Sequence, residues 1–357
     1  MDLLSIASLF RLEGAPVSCT PCGNGHINKT YTVVDSSGRK SILQAINHQV
    51  FRDVDALMRN IVAVTEHLKA KCPDPRQVMS LIPARDGASY IHAEDGQYYR
   101  MLVYVDGVSL EQAATEEDFY QSAVAFGTFQ RLLSDFPAET LTEVIPRFHD
   151  TPDRYRLFHE ALKKDSENRA ARCREEIQFV LERENKAGVM LDMLHAGALP
   201  LRVTHNDTKL NNVMLDPETH QPLCVIDLDT VMPGLAGNDF GDSIRFGAST
   251  ATEDERDLSR VRFSLPLFRA YARGFLSACG KALTKTEIDT LPLAAELMTL
   301  EVGLRFLTDH LNGDTYFSIS RENHNLDRCR TQFKLLSEME AQEEEMNRIV
   351  LETYRSL

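Results

Sequence analysis

The chain has 357 residues, is 43% hydrophobic and 26% charged, and carries a formal net charge of −14. That balance matches an average soluble globular protein of about two domains and excludes collagen, coiled-coil and wholly disordered classes. So acidic a surface repels phosphate backbones and argues against a general nucleic-acid binder, while leaving room for a small anionic ligand in a metal-neutralised pocket.

The opening MDLLSIASLFRLEG has an acid at position 2 and no basic n-region. It reads as a short amphipathic helix and not as a signal peptide. Cys19 and Cys22 form a lone CxxC without the second pair that a zinc site needs. The seven scattered cysteines suit a reducing compartment. No run approaches the ~18 apolar residues of a membrane span. A cytoplasmic location without membrane attachment is expected.

Residues 15 to 50 have a strand rhythm. Tyr31 to Val34 and Ser41 to Ile46 flank Asp35-Ser36-Ser37-Gly38, a hairpin signature. Val54, Leu57, Met58, Ile61, Val64 and Leu68 then follow helical spacing. Strands return at Tyr90 to His92 and Tyr98 to Val105. Asp106-Gly107 breaks the pattern, and helices dominate afterwards. Glu117 to Ser134 is amphipathic, residues 152 to 196 read as long solvated helices, and residues 253 to 357 are helical again. Arg202 to Thr204 and Leu223 to Ile226 are short strand-like runs. An α+β chain is expected, with a β-rich lobe over 1–106 and a larger, mostly helical lobe over 107–357.

The strongest chemical signal is His205-Asn206-Asp207-Thr208-Lys209-Leu210-Asn211-Asn212, followed by Val225-Ile226-Asp227-Leu228-Asp229. These residue types suit phosphoryl transfer. Asp207 fits the base that takes the proton of an attacking hydroxyl. Asn212 and Asp227 fit the oxygen ligands of Mg²⁺. Asp229 reads as a second metal contact or a polar neighbour, and His205 as a residue that fixes the loop. Gly23-Asn24-Gly25-His26-Ile27-Asn28 could cradle phosphates through its backbone amides. No Walker motif occurs.

These motifs together resemble the bilobal, protein-kinase-like fold of the aminoglycoside phosphotransferase and choline kinase family. The longer strings THNDTKLNN, IDLDTVMPG, DFGDSIRFGAST, GHIN, FHDTP and LMRN resemble the N-acetylhexosamine 1-kinases within it. The resemblance implies ATP as co-substrate, Mg²⁺, a small-molecule sugar acceptor phosphorylated at carbon 1, and no obligate protein partner. It implies Asp207 as the base on the sugar hydroxyl, with His26, Asn28, Arg305 and Tyr316 as substrate contacts. Gly23 and Gly25 would lie at the phosphates, and Val103 to Val105 would offer backbone groups to adenine. Asp239 and Asp242 would brace the catalytic loop. Where this fold carries a phosphate-binding Lys on the third strand, SILQAIN offers Gln44. Another acceptor on the same fold, such as an amino alcohol or an antibiotic, is the competing reading. A non-catalytic nucleotide-binding scaffold is the third, and the intact Asp207, Asn212 and Asp227 argue against it.

Overall fold

The computed structural model describes residues 2–23 and 27–357. In chain order its first elements are α1 (Leu3–Ala7), β1 (Pro16–Pro21), β2 (Lys29–Asp35), β3 (Lys40–Ile46), α2 (Val54–Lys69), β4 (Leu81–Ile82), β5 (Ile91–His92) and β6 (Tyr98–Val103). Next come α3 (Glu116–Leu132), α4 (Thr151–Lys164), α5 (Arg174–Leu181), α6 (Val189–His195), β7 (Arg202–Thr204), β8 (Val213–Leu215), β9 (Pro222–Val225) and β10 (Met232–Gly234). The last are α7 (Ala236–Gly247), α8 (Leu265–Cys279), α9 (Lys285–Asp289), α10 (Leu291–Leu311), α11 (His324–Glu340) and α12 (Glu343–Arg355). No helix among the described residues is long and apolar enough to cross a membrane.

The chain divides into two units, neither continuous in sequence. The first comprises residues 1–109, 135–146 and 213–233, and the second 110–134, 147–212 and 234–357. The expected boundary at 106 falls beside the first crossing. The two later returns to the first unit have no counterpart in that expectation.

The first unit is built on an antiparallel sheet in the order β1-β2-β3-β6-β4, with β5 also paired to β6. The β2–β3 turn is fixed by Asp35, whose Oδ1 accepts the amides of Ser37 (2.8 Å) and Arg39 (3.1 Å). This is the Asx-turn chemistry that the sequence signature anticipates. Val33, Leu43, Ala45 and Met101 form one buried cluster with Ile6 and Phe10. Helix α2 starts at Asp53, which accepts the Ala56 amide at 2.8 Å, and buries Leu57, Ile61, Val64 and Leu68 at the predicted spacing. Strands β8 and β9 form a small ladder of their own in this unit.

The second unit is helical. A capping box between Thr115 and Asp118 opens α3. Helices α3 and α8 approach closely at two glycines: a Cβ on Gly127 would lie 2.7 Å from Phe275 O, and one on Gly274 2.4 Å from Tyr120 O. Helix α10 is buried along nearly its whole length. Residues 152 to 196 are helical as expected, in three separate helices, but they are not the solvated surface helices expected. Asp165 and Asn168 adopt left-handed backbone conformations and end α4, and Tyr155, Phe158, Val180 and Met190 are buried.

Glu296 lies in this core with Oε1 unpartnered. Burial, with Glu343 nearby, pushes its carboxyl up to about 7. The folded pKa thus stands above the unfolded one. The stabilising difference is fully present below about pH 4.5 and is lost as pH rises towards 7. Glu296→Gln is expected to raise stability at pH 8 by about 2–3 kcal/mol and to flatten its decline between pH 4.5 and 7. Chemical denaturation at both ends of that range checks this. A variant no more stable than the parent at pH 8 would contradict it.

Candidate active site

The loop after β7 belongs to the second unit and is tied down from beneath by α7. Asp239 accepts the amides of His205 (3.0 Å) and Asn206 (2.8 Å) and the Gln130 side chain (2.7 Å). Burial pushes the Asp239 carboxyl up, and these three donors oppose it. Asp242 accepts the Thr208 amide at 2.9 Å and pairs with Arg245 at 2.8 Å. Burial works to raise Asp242, but Arg245 and Lys209 outweigh it and hold the carboxyl below the ordinary range. His205 is wholly buried, edge-on to Phe126 and Phe129. Its Nδ1 accepts the Asp207 amide at 3.3 Å.

Asp207 stands partly exposed on this braced loop. Its Oδ1 pairs with Lys209 Nζ at 2.8 Å, and its Oδ2 accepts from Asn212 Nδ2 at 3.1 Å. Burial works against the Lys209 charge, but Asp207 outweighs it and raises the ammonium. Asn212 Nδ2 also donates to Asp207 O at 2.8 Å. The amide nitrogen is therefore engaged within the loop, and Oδ1 is the atom left to meet a cation.

Asp227 belongs to the first unit. It is exposed and left-handed, with φ 59° and ψ 59°. Asp229 is not positioned as a second metal contact. It is buried, its Oδ1 paired with Arg100 Nη1 and its Oδ2 accepting from Asn28 Nδ2 at 2.5 Å. Asn28 also accepts the Asn47 amide at 2.9 Å, so both ends of its amide are engaged inside the unit. Gln44 sits in β3 directly opposite Arg100 of β6. Its Oε1 accepts from Arg100 Nε (2.9 Å) and Nη2 (2.7 Å), and its Nε2 donates to Thr30. Gly23 is exposed with φ +74°, whereas Gly25 and His26 lie outside the described residues. β6 ends at Val103, whose amide donates to Ser80 O at 2.8 Å; Tyr104 and Val105 continue without regular structure.

In the second unit, α10 presents Glu301, Arg305 and Asp309 at i, i+4 and i+8, on one helical stripe. Glu301 accepts from Thr151 at 2.7 Å and meets His149 Nδ1 at 2.9 Å. Burial works to raise its carboxyl, but His149 outweighs it and holds it below the usual range. Asp309 accepts the successive amides of Thr315, Tyr316 and Phe317 at 2.8–2.9 Å. Between these anchors the Arg305 guanidinium faces the rings of Phe148 (5.2 Å), Phe317 (5.5 Å) and Tyr316 (6.0 Å). Tyr316 is 65% exposed. Sequence reasoning named Arg305 and Tyr316 but missed Glu301 and Asp309, which set the two loops around them. The signal was their four-residue spacing from Arg305. It also missed Arg100, a lone charge inside an apolar strand.

Among the described residues no group of three or more His, Cys, Asp and Glu side chains could hold a metal. Asn212 in the second unit carries an amide oxygen and Asp227 in the first an exposed carboxylate. Oxygen donors of these kinds are the ones that Mg²⁺ takes and not the sulfur and nitrogen set of a zinc site.

Residues 18–275 match the family model described as the phosphotransferase enzyme family. The chain belongs to this family. This phosphotransferase also has the family's protein-kinase-like fold. It is similar to an aminoglycoside phosphotransferase from Alicyclobacillus acidocaldarius, at 15% identity and TM-score 0.63, over 100% of this chain and 97% of that one. It is similar to an amicoumacin kinase in complex with AMP-PNP, Ca²⁺ and Ami, at 14% identity and TM-score 0.59, over 93% and 92% of the two chains. The phosphotransferase also resembles a choline kinase from Cryptosporidium parvum Iowa II, at 12% identity and TM-score 0.56, over 92% and 91%.

Proposed function

We propose that this phosphotransferase uses ATP to phosphorylate the carbon-1 hydroxyl of N-acetylglucosamine and N-acetylgalactosamine. Asp207 takes the hydroxyl proton as the sugar oxygen bonds to the γ-phosphorus and the bond to ADP breaks. The products are the sugar 1-phosphate, ADP and a protonated Asp207. Asn212 and Asp227 hold Mg²⁺, which when bound neutralises phosphate charge. The braced loop supports this reading, because it fixes Asp207 while leaving its carboxylate partly open.

The observation that carries the choice of acceptor is the cluster around Arg305. Aromatic rings that gather round an empty space make a cage for a quaternary ammonium. Here the rings of Phe148, Tyr316 and Phe317 already face a guanidinium. Arg305 would repel a choline-like cation, whereas a neutral sugar can take its hydrogen bonds and stack on the exposed Tyr316. This favours a sugar over an amino alcohol or an aminoglycoside.

The test is product phosphorus NMR with specific activities across a small acceptor panel. Both N-acetylhexosamines should react and give 1-phosphates. Their 1-O-methyl glycosides lack the proton that Asp207 must take and should not react. Glucose should be much poorer, since each polar partner left unpaired costs ~1–3 kcal/mol. Phosphorylation at carbon 6, turnover of a methyl glycoside or a preference for choline would sink the assignment.

A further inference from the structure

The buried pair Arg100–Asp229 has no place in the chemistry described so far. Arg100 is 1% exposed. All three of its nitrogens are engaged: Nε and Nη2 with Gln44 Oε1, and Nη1 with Asp229. A buried ion pair is weak support for stability, because desolvating both charges offsets most of their attraction. Its geometry suggests another use. Asp229 lies two residues beyond Asp227, on the segment that must hold Asp227 in a left-handed conformation. Aspartate tolerates that conformation better than most residues with a side chain, but it still costs energy that the surroundings have to offset. Arg100 and Asn28 fix Asp229 from one side. Asn60 Nδ2, donating to Val231 O at 3.0 Å, fixes the chain two residues further on. All of these contacts lie within the first unit.

We infer that Arg100 is a positioning residue for the metal carboxylate: through its fork onto Gln44 and Asp229 it sets the backbone that presents Asp227. This accounts for Gln44. A Lys at position 44 would place a second cation beside Arg100 across the β3–β6 ladder, whereas a Gln supplies the oxygen that the guanidinium needs. The inference rests on the reading of Asp227 as a metal ligand.

The test uses Mn²⁺ as an EPR-visible stand-in for Mg²⁺, titrated with ADP present and no turnover. Arg100→Met and Asp229→Asn should weaken Mn²⁺·ADP binding by about 10–100-fold, the usual effect of removing a support behind a metal ligand. The double variant should be no worse than the worse single one. Arg100→Lys keeps the charge without the fork and should recover part of the loss. The acceptor KM should not move. Variants that melt cooperatively above the assay temperature and bind Mn²⁺·ADP like the parent would overturn the inference. If the Met variant does not fold, Arg100→Lys decides: parent-like Mn²⁺ affinity in it overturns the role of the fork. Asp227→Asn is the control. If it leaves Mn²⁺ affinity unchanged, the reading of Asp227 is wrong and the inference falls with it; if Asp227→Asn weakens binding and the Arg100 and Asp229 variants do not, only the inference fails.

Discussion

Asp207→Asn is expected to lower kcat by at least about 10²–10⁴-fold, the usual range for a lost general base. The substitution keeps the shape of the side chain and an oxygen that can accept from Asn212 Nδ2. It removes the negative charge that pairs with Lys209 and the capacity to accept a proton. The loop itself should hold, because its backbone is anchored by Asp239 and Asp242 and not by Asp207. The variant should therefore bind nucleotide and metal like the parent, with a parent-like thermal transition. Single-turnover kinetics together with calorimetric nucleotide binding would check both halves. Near-normal turnover would remove Asp207 from the chemistry, and a collapsed transition would show that it holds the loop.

The second large effect is expected at Asp239, which touches no substrate in the proposed mechanism. Asp239→Ala removes the carboxylate that accepts from the amides of His205 and Asn206 and from Gln130 Nε2, of which the last keeps its bond to Val203 O at 3.1 Å. Each unsatisfied group costs ~1–3 kcal/mol. A total of about 4–5 kcal/mol puts this among the most damaging single substitutions. At ~2–4 °C per kcal/mol for a unit of this size, the transition should fall by roughly 10–20 °C. Below that transition kcat should still be depressed at least about tenfold, because the two freed amides immediately precede Asp207. Asp239→Asn should fall between, since its amide nitrogen meets one of those donors as a clash of like dipoles. Thermal melts paired with kcat at a low temperature would check this. A parent-like melt for the Ala variant would mean that other contacts hold the loop.

Much of the fold is legible in periodicity. Alternation marks β2, β3 and β6, helical spacing marks α2 and α3, and Asp35 to Gly38 marks a turn whose hydrogen bonds the structure contains. These signals are local, and the chain obeys them because each element buries the face that its pattern defines. Residues 152 to 196 were misread for the same reason. Their charge density hides the fact that Tyr155, Phe158 and Val180 are buried, and nothing in composition marks the left-handed residues that end α4. The candidate loop was legible because its residue types stand together in the pattern that suits phosphoryl transfer. Its supports were legible only in part: Asp239 and Asp242 follow soon after in sequence.

Arg100, Glu301 and Asp309 could not be read in the same way. Arg100 and Glu301 act through partners far along the chain, Asp229 and His149, and Asp309 through the amides of residues 315–317 in the irregular segment beyond its helix. A lone Arg in an apolar strand and an acid in a buried helix are conflicts between local pattern and environment. Such conflicts mark functional or strained positions, but their resolution needs the partner. Asp229 illustrates the converse. Its closeness in sequence to Asp227 suggested a second metal contact or a polar neighbour, whereas the left-handed Asp227 and the 3-10 turn Leu228–Thr230 that follows it turn the second carboxylate onto Arg100 and Asn28.

The order in which the ribosome releases the chain gives the Arg100–Asp229 pair a further meaning. Strand β6 emerges early, yet the counter-ion of its central residue arrives with segment 213–233, the last part of the first unit to be made. At ~5–20 residues per second, roughly 6–26 s of synthesis separates the two. Throughout that interval the nascent sheet carries a guanidinium at its centre with no carboxylate to meet it. Desolvating an unpaired charge is strongly unfavourable, so the β3–β6 ladder is expected to reach its final packing only once segment 213–233 has been made. The first unit therefore matures after much of the second has been translated, and a fragment ending at residue 109 holds the sheet's strands without the ion that closes them.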